Sequence, residues 1–167
     1  MDVDTIYKKA KSFAELLNAD SDIDVALGGL VVTKEISDPH NADLRKDQTD
    51  RQGVRVNLRD TSGIYLIVRP DQYVAYIGKA YKTKLHEELW NKLKTPVGDT
   101  IPRTYPNTYW SKMPLESDIA TELREGKVCV AAFSIEPNYV CSLLEVYLQT
   151  VYYSVNSELP RLNSQIG

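Results

Sequence analysis

Two tripeptides built from the same three residue types constrain this chain more than any other feature. Gly63-Ile64-Tyr65 is followed, after ten intervening residues, by Tyr76-Ile77-Gly78. Residues 63–69 (GIYLIVR) and 72–79 (QYVAYIGK) are rich in β-branched and aromatic side chains, and Pro70-Asp71 between them is a turn pair. They read as an antiparallel hairpin. A turn centred on Pro70-Asp71 sets Tyr65 opposite Tyr76 and Gly63 opposite Gly78. The two phenols then share one face, with Cβ atoms about 4.5–5.5 Å apart. Facing glycines beside them mark a place where backbone lies close to another group. Such a pair of phenols serves either as a cross-strand aromatic pair in a core, or as a general base and orienting hydrogen bond for an attacking water. The second role at neutral pH requires a metal or cation to lower a phenol pKa of about 10.

The rest of the chain fits an α+β protein. Residues 5–19 predict a helix with Ile6, Phe13, Leu16 and Leu17 on one face. Residues 23–36 read as a short strand or irregular packed segment around Gly28-Gly29, and the polar stretch 37–60 as a loop or mobile arm. Leu85, Leu89 and Leu93 predict a helix over 81–94, and Pro96, Gly98, Pro102 and Pro106 a long loop over 95–113. A helix over 115–125 ended by Gly126, a strand over 127–135, an apolar helix over 139–156 and an extended tail complete the order. Helices packed over a small sheet satisfy this sequence of elements.

With 167 residues, 43% of them hydrophobic, the chain can bury the core of one domain without a metal or disulfide to hold it. Cys129 and Cys141 lie in apolar runs and read as small buried hydrophobes in a reducing compartment. Two His and two Cys, widely spread, make no zinc pattern. No signal-like start and no membrane-spanning run is present, so a soluble, cytoplasmic (intracellular) protein is expected, with no membrane partner. A net charge of −3 argues against nucleic acid, but the charge is unevenly spread. Residues 79–112 carry Lys79, Lys82, Lys84, Lys92, Lys94, Arg103 and Lys112 against Glu87, Glu88 and Asp99, a local balance of +4 (seven minus three). That stretch is either a DNA-binding face or an ordinary mixed-charge surface.

Glu145 lies within Leu143-Leu144-Glu145-Val146-Tyr147-Leu148, on a helix apolar on nearly all sides. A carboxylate buried there needs a partner, and its segment offers no cation before Arg161. A hard divalent ion, Mg²⁺ or Mn²⁺, meets that need. The alternative places Glu145 on one exposed strip with Ser142 and Gln149. Lys79, Lys82, Lys84 and His86, next in the chain after Gly78, are each either phosphate ligands or solvated and packing side chains.

These residues together resemble the GIY-YIG endonuclease family, over about Gly63 to Gly167. The paired tripeptides followed by Lys79 carry the resemblance, with Glu145 on a late helix and Leu159-Pro160-Arg161-Leu162-Asn163, similar to the family's closing Pro-x-x-Asn element. A closer likeness to the small phage endonucleases of the family rests on Ser117 to Val128, the Glu145 helix and the Asn163 tail. The resemblance implies a small three-stranded antiparallel sheet flanked by helices over residues 61–167, with residues 1–60 as an N-terminal helical or irregular extension. It implies hydrolysis of a DNA phosphodiester to a 5′-phosphate and a 3′-hydroxyl, with one Mg²⁺ or Mn²⁺ per active site. Tyr65 would be the general base or water-positioning phenol, and Tyr76 would hydrogen-bond the attacked phosphate or the water. Glu145 would ligate the metal and Asn163 would order the site from the tail. Lys79 would lie near the phosphate or the Tyr65 phenol and depress its pKa. Lys82, Lys92, Lys94 and Arg103 would contact DNA. The family's helix arginine is replaced here by Lys84 or His86, unless Arg103 reaches in or the domain binds without cutting. One site cuts one strand, so double-strand cleavage requires a homodimer or sequential nicking.

Overall fold

The structure is a computed structural model, and it describes residues 1–20, 22–33, 47–82, 84–93, 122, 125, 127–163, 165 and 166. Helix α1 (Val3–Asp20) begins at Asp2, whose Oδ1 accepts the Thr5 N–H at 2.7 Å. This satisfies one of the free donors of a helix start and holds the Asp2 carboxyl below its usual range. Strands β1 (Ala26–Leu27), β2 (Val31–Val32), β5 (Gly63–Val68), β6 (Val74–Ala80) and β7 (Cys129–Glu136) make one antiparallel sheet. Its order is β1-β7-β5-β6, with β2 following β1 along the same edge of β7. Strands β3 (Gln48–Thr49) and β4 (Arg55–Val56) form a separate hairpin. Helices α2 (Leu85–Leu93) and α3 (Val140–Asn156) complete the described elements.

Every residue of β5 is buried, and both of its edges are paired. Alternation sends Ile64, Leu66 and Val68 into a core with Ile6, Ala10 and Phe13 of α1 and Leu144 and Leu148 of α3. Tyr65 points the other way, into a smaller core with Leu58, Ala80 and Leu85 and Leu89 of α2. The sheet is thus covered on both faces. The expected three strands are its long members, and the first 60 residues add two more. Helix α1 shares the main core, so this part of the chain packs as part of the same body.

Two expectations are corrected. Residues 47–60 do not form a loose arm. Their hairpin is tied to α1 by Arg51 and Asp4 at 2.9 Å, to β2 by a bridge between Asp50 and Val31, with the Arg51 N–H on the carbonyl of the preceding Leu30, and Leu58 is fully buried. Residues 34–46 lie outside the described residues, as does nearly all of the expected loop over 95–113 and helix over 115–125.

The second correction is the register. Tyr65 faces Gly78 and Tyr76 faces Ile67, an offset of two residues from the expected pairing. Proline explains it. A two-residue hairpin loop needs positive φ at its first position, which the pyrrolidine ring forbids. The chain instead makes a turn closed by the Gln72 N–H on the Arg69 carbonyl, and Gln72 takes up the left-handed conformation at φ 67°. Arg69 and Tyr73 then close a three-residue loop, and an irregularity beside Val68 adds the second residue of offset. An even offset leaves every side chain on its expected face.

Gln72 is exposed, so its left-handed backbone is a local cost with no packing return. Gln72→Gly is expected to raise unfolding stability by about 0.5–1 kcal/mol. Urea denaturation measures this, and a loss of stability would contradict it.

Candidate functional site

The register offset gives Gly78 its role. A Cβ built there would lie 2.5 Å from Tyr76 Cε1, 2.6 Å from Tyr65 Cζ and 2.7 Å from Tyr65 Oη. Both rings therefore lie across the bare backbone of Gly78, with centroids 5.8 Å apart and planes tilted by 31°. The tyrosines are diagonal neighbours brought together by the missing side chain. Gly63 does not face Gly78. It faces Ala80 and Ser134, and a Cβ there would lie 2.2 Å from the Phe133 carbonyl oxygen.

Tyr65 is 1% exposed, whereas Tyr76 is half-buried. Burial pushes the Tyr65 phenol well above its usual range. The neighbouring Tyr76, the charge of Glu88, a hydrogen bond with Tyr76 and the charge of Glu145 all act in the same direction. This corrects the expectation that Lys79 depresses the phenol. Lys79 follows Gly78 directly, so alternation places it on the opposite face of β6 from Tyr65.

On that face Lys79 meets Glu145. Its Nζ lies 2.6 Å from Glu145 Oε2, with the lysine side chain 30% exposed and the glutamate 8%. The cation that the helix sequence lacked thus comes from a strand 66 residues away. Breaking such a pair by removing the lysine alone would leave a nearly buried carboxylate uncompensated. Glu145 does not lie on an exposed strip. Gln149, one turn on, is 1% exposed, and its Nε2 donates to the Ile77 carbonyl at 3.2 Å. Its spacing of four residues from Glu145 was the available sign that the two share a face.

Asn163 reaches the same point of β6 from the tail. Its Oδ1 accepts the Ile77 N–H and its Nδ2 donates to the Ile77 carbonyl, both at 2.9 Å. The Leu162 N–H donates to the Ala75 carbonyl at 2.9 Å. The side-chain amide imitates a neighbouring strand along this edge. Behind the hairpin turn, Arg69 forks onto Glu122, with Nε to Oε2 at 2.9 Å and Nη2 to Oε1 at 2.7 Å.

The two replacements for the helix arginine are engaged elsewhere. Lys84 pairs with Asp60, which holds the Asp60 carboxyl below its usual range. His86 Nδ1 lies 2.6 Å from the Arg59 carbonyl, and since a carbonyl only accepts, that nitrogen carries the proton. The turn before β5 therefore absorbs both groups, a pairing that no local spacing announced. Lys82 is exposed just after β6, and Lys92 lies on α2. Lys94 and Arg103 lie outside the described residues. Cys141 is buried and its thiol is pushed up to about 12, mainly by that burial, while Cys129 is half-buried.

Among the described residues no three His, Cys, Asp or Glu side chains gather as a metal cage, and no helix is long and apolar enough to cross a membrane. No family model matches the chain, and no curated protein or solved structure matches it.

Two outcomes follow for this pocket. Gly78→Ala must push on the buried Tyr65 ring and is expected to cost about 1–3 kcal/mol, measured by denaturant unfolding. No loss would mean that the rings do not need the bare backbone. The raised Tyr65 pKa contributes stability up to about pH 10, and that contribution is lost as pH rises through the folded-state value. Tyr7 and Tyr152 are shifted up by burial too, so their contributions have the same sign. Tyr65→Phe is therefore expected to lose stability less steeply above about pH 10. Ultraviolet phenolate titration with parallel unfolding curves checks this, and an unchanged alkaline slope would contradict it.

Proposed function

We propose that this chain is a divalent-metal-dependent DNA endonuclease of the GIY-YIG type. The reading is carried by the convergence on residues 76–79 of one edge strand, with the Tyr65 and Tyr76 rings over Gly78 on one face, Glu145 on Lys79 on the other, and Asn163 on the Ile77 backbone at the edge. Tyr65, Tyr76, Glu145 and Asn163 come from four separate parts of the sequence, and each matches a position of the family pattern.

Glu145 would hold the Mg²⁺ or Mn²⁺. A nearly buried carboxylate with a single lysine on one oxygen fits a hard cation that takes its other ligands from water and phosphate. Bound there, the ion would supply charge neutralisation at the phosphate and the leaving oxygen. The residues of the chain divide the remaining work by exposure. Tyr76, half-buried, is the phenol that reaches the water or phosphate. Tyr65, sealed beneath α2, donates a hydrogen bond that orients the Tyr76 hydroxyl. This exchanges the roles expected for the two tyrosines, because a phenol raised by burial is a poor base. Asn163 and Gln149 fix the Ile77 peptide and so hold Tyr76 and Gly78 in place. Lys79 neutralises Glu145 before substrate binds. Lys82, with Lys92, Lys94 and Arg103, would contact the DNA backbone.

A second reading has its own support. Lys84 and His86 are bound to Asp60 and the Arg59 carbonyl, so neither stands ready at the phenols. A domain lacking that phosphate cation would bind DNA, or a partner, without cutting it.

Plasmid nicking with Mg²⁺ or Mn²⁺ separates the two. Wild type should nick, and Glu145→Gln and Tyr76→Phe should each lower the rate by about 10²-fold or more. Full activity in Glu145→Gln would reject the site. Binding by gel shift, without cleavage of any plasmid, linear or branched DNA, would select the second reading.

A further inference from the structure

The ion pair between Lys79 and Glu145 leaves one carboxylate oxygen unanswered. Glu145 Oε2 takes the Lys79 ammonium at 2.6 Å, whereas Glu145 Oε1 has no hydrogen bond among the described residues. The glutamate side chain is 8% exposed, and a buried acceptor without a partner is costly. Its neighbours one turn away on α3 bring no charge. Cys141 is fully buried as the neutral thiol, and Gln149 donates to the Ile77 carbonyl. One ammonium thus cancels the charge of this carboxylate and fills only part of its hydrogen-bonding capacity.

We propose that Lys79 is a built-in competitor for the metal at Glu145, displaced when a DNA phosphate draws its ammonium away. This inference rests on the nuclease reading. Two asymmetries within the pair make the lysine the partner that moves. Glu145 is held on a helix with its side chain nearly sealed, while the Lys79 side chain is 30% exposed. The lysine also ends in a point charge on a flexible four-carbon stem. The carboxylate therefore cannot come out to an ion, whereas the ammonium can swing out to a phosphate oxygen beside the edge strand. Charge gives the sign of the effect. Glu145 and Lys79 sum to zero, and a divalent ion added to the intact pair would set two cations against one nearly buried carboxylate. With the ammonium transferred to a phosphate, Glu145 offers its full charge and both oxygens. Metal affinity is therefore low in the free protein and rises with DNA. By linkage, the metal tightens DNA binding by the same factor.

Binding of Mn²⁺, followed by electron paramagnetic resonance of the free ion, tests the proposal without a cleavage readout. Lys79→Gln keeps a donor and removes the charge. Without DNA it should bind Mn²⁺ at least about tenfold more tightly than wild type. Adding Glu145→Gln should abolish that gain, which assigns the ion to this carboxylate. A short duplex should tighten Mn²⁺ binding by wild type more than by Lys79→Gln, after subtraction of Mn²⁺ bound to the duplex alone. Lys79→Arg guards against a folding defect in the first variant, because it keeps the charge and can fork onto both oxygens. With the duplex present it should bind Mn²⁺ at least about tenfold more weakly than wild type, with the fold intact by circular dichroism. Lys79→Gln binding no more tightly than wild type would overturn the proposal, as would Lys79→Arg binding as well as wild type. The two readings fail separately. A wild type that nicks plasmid while Lys79→Gln shows no gain removes this proposal alone. A wild type that neither nicks nor binds Mn²⁺ with the duplex removes the nuclease reading, and this proposal with it.

Discussion

A strand that is paired on both edges and buried on both faces has to be covered from every side, and β5 is that strand. Its two neighbours supply the hydrogen bonds. Its two faces require two sets of helices, α1 with α3 on one and α2 on the other. The N-terminal helix is part of this requirement. Without Ile6, Ala10 and Phe13 the main core would lose one wall, and burial of an Ile or Phe side chain is worth about 1.5–3 kcal/mol. The candidate site is assembled at the rim of this frame, where β6 ends the sheet among the described residues.

An exposed strand edge invites pairing with another chain. Here the tail meets that hazard with few groups. Leu162 takes the Ala75 carbonyl, and the Asn163 amide takes both polar groups of Ile77. Strand addition is blocked there, yet no further strand is laid down among the described residues. Gln149 bonds the same Ile77 carbonyl from α3, so a single peptide fixes tail, helix and strand together.

Much of this was legible in the sequence, for reasons specific to each element. The β5–β6 hairpin, β7, α2 and α3 announce themselves through β-branched runs and leucine periodicity, which depend only on local chemistry. Which side chains share a face was legible too, since the alternation survives an even slip. The register itself was not. It was set by what Pro70 forbids and by an irregularity beside Val68, and only the first of these is written in the turn residues. Pairings across long separations were also hidden. Lys79 with Glu145, Arg69 with Glu122 and Lys84 with Asp60 follow from how elements pack, and no spacing encodes them. The polar stretch 47–60 misled for a related reason: its composition is that of a loop, while one buried leucine and one ion pair to α1 hold it in place.

Gly78 and Lys79 are adjacent in sequence and so face opposite sides of the sheet. The phenols lie over one face and the Lys79–Glu145 pair over the other. In an interior strand the sheet itself would separate them. At an edge, where β6 lies among the described residues, no further strand separates the two faces at the rim. The position of β6 at the end of the sheet is therefore a condition for the candidate chemistry. It also explains why the tail uses a side-chain amide there. A full strand would satisfy the same peptide groups, but it would wall the carboxylate off from the phenols.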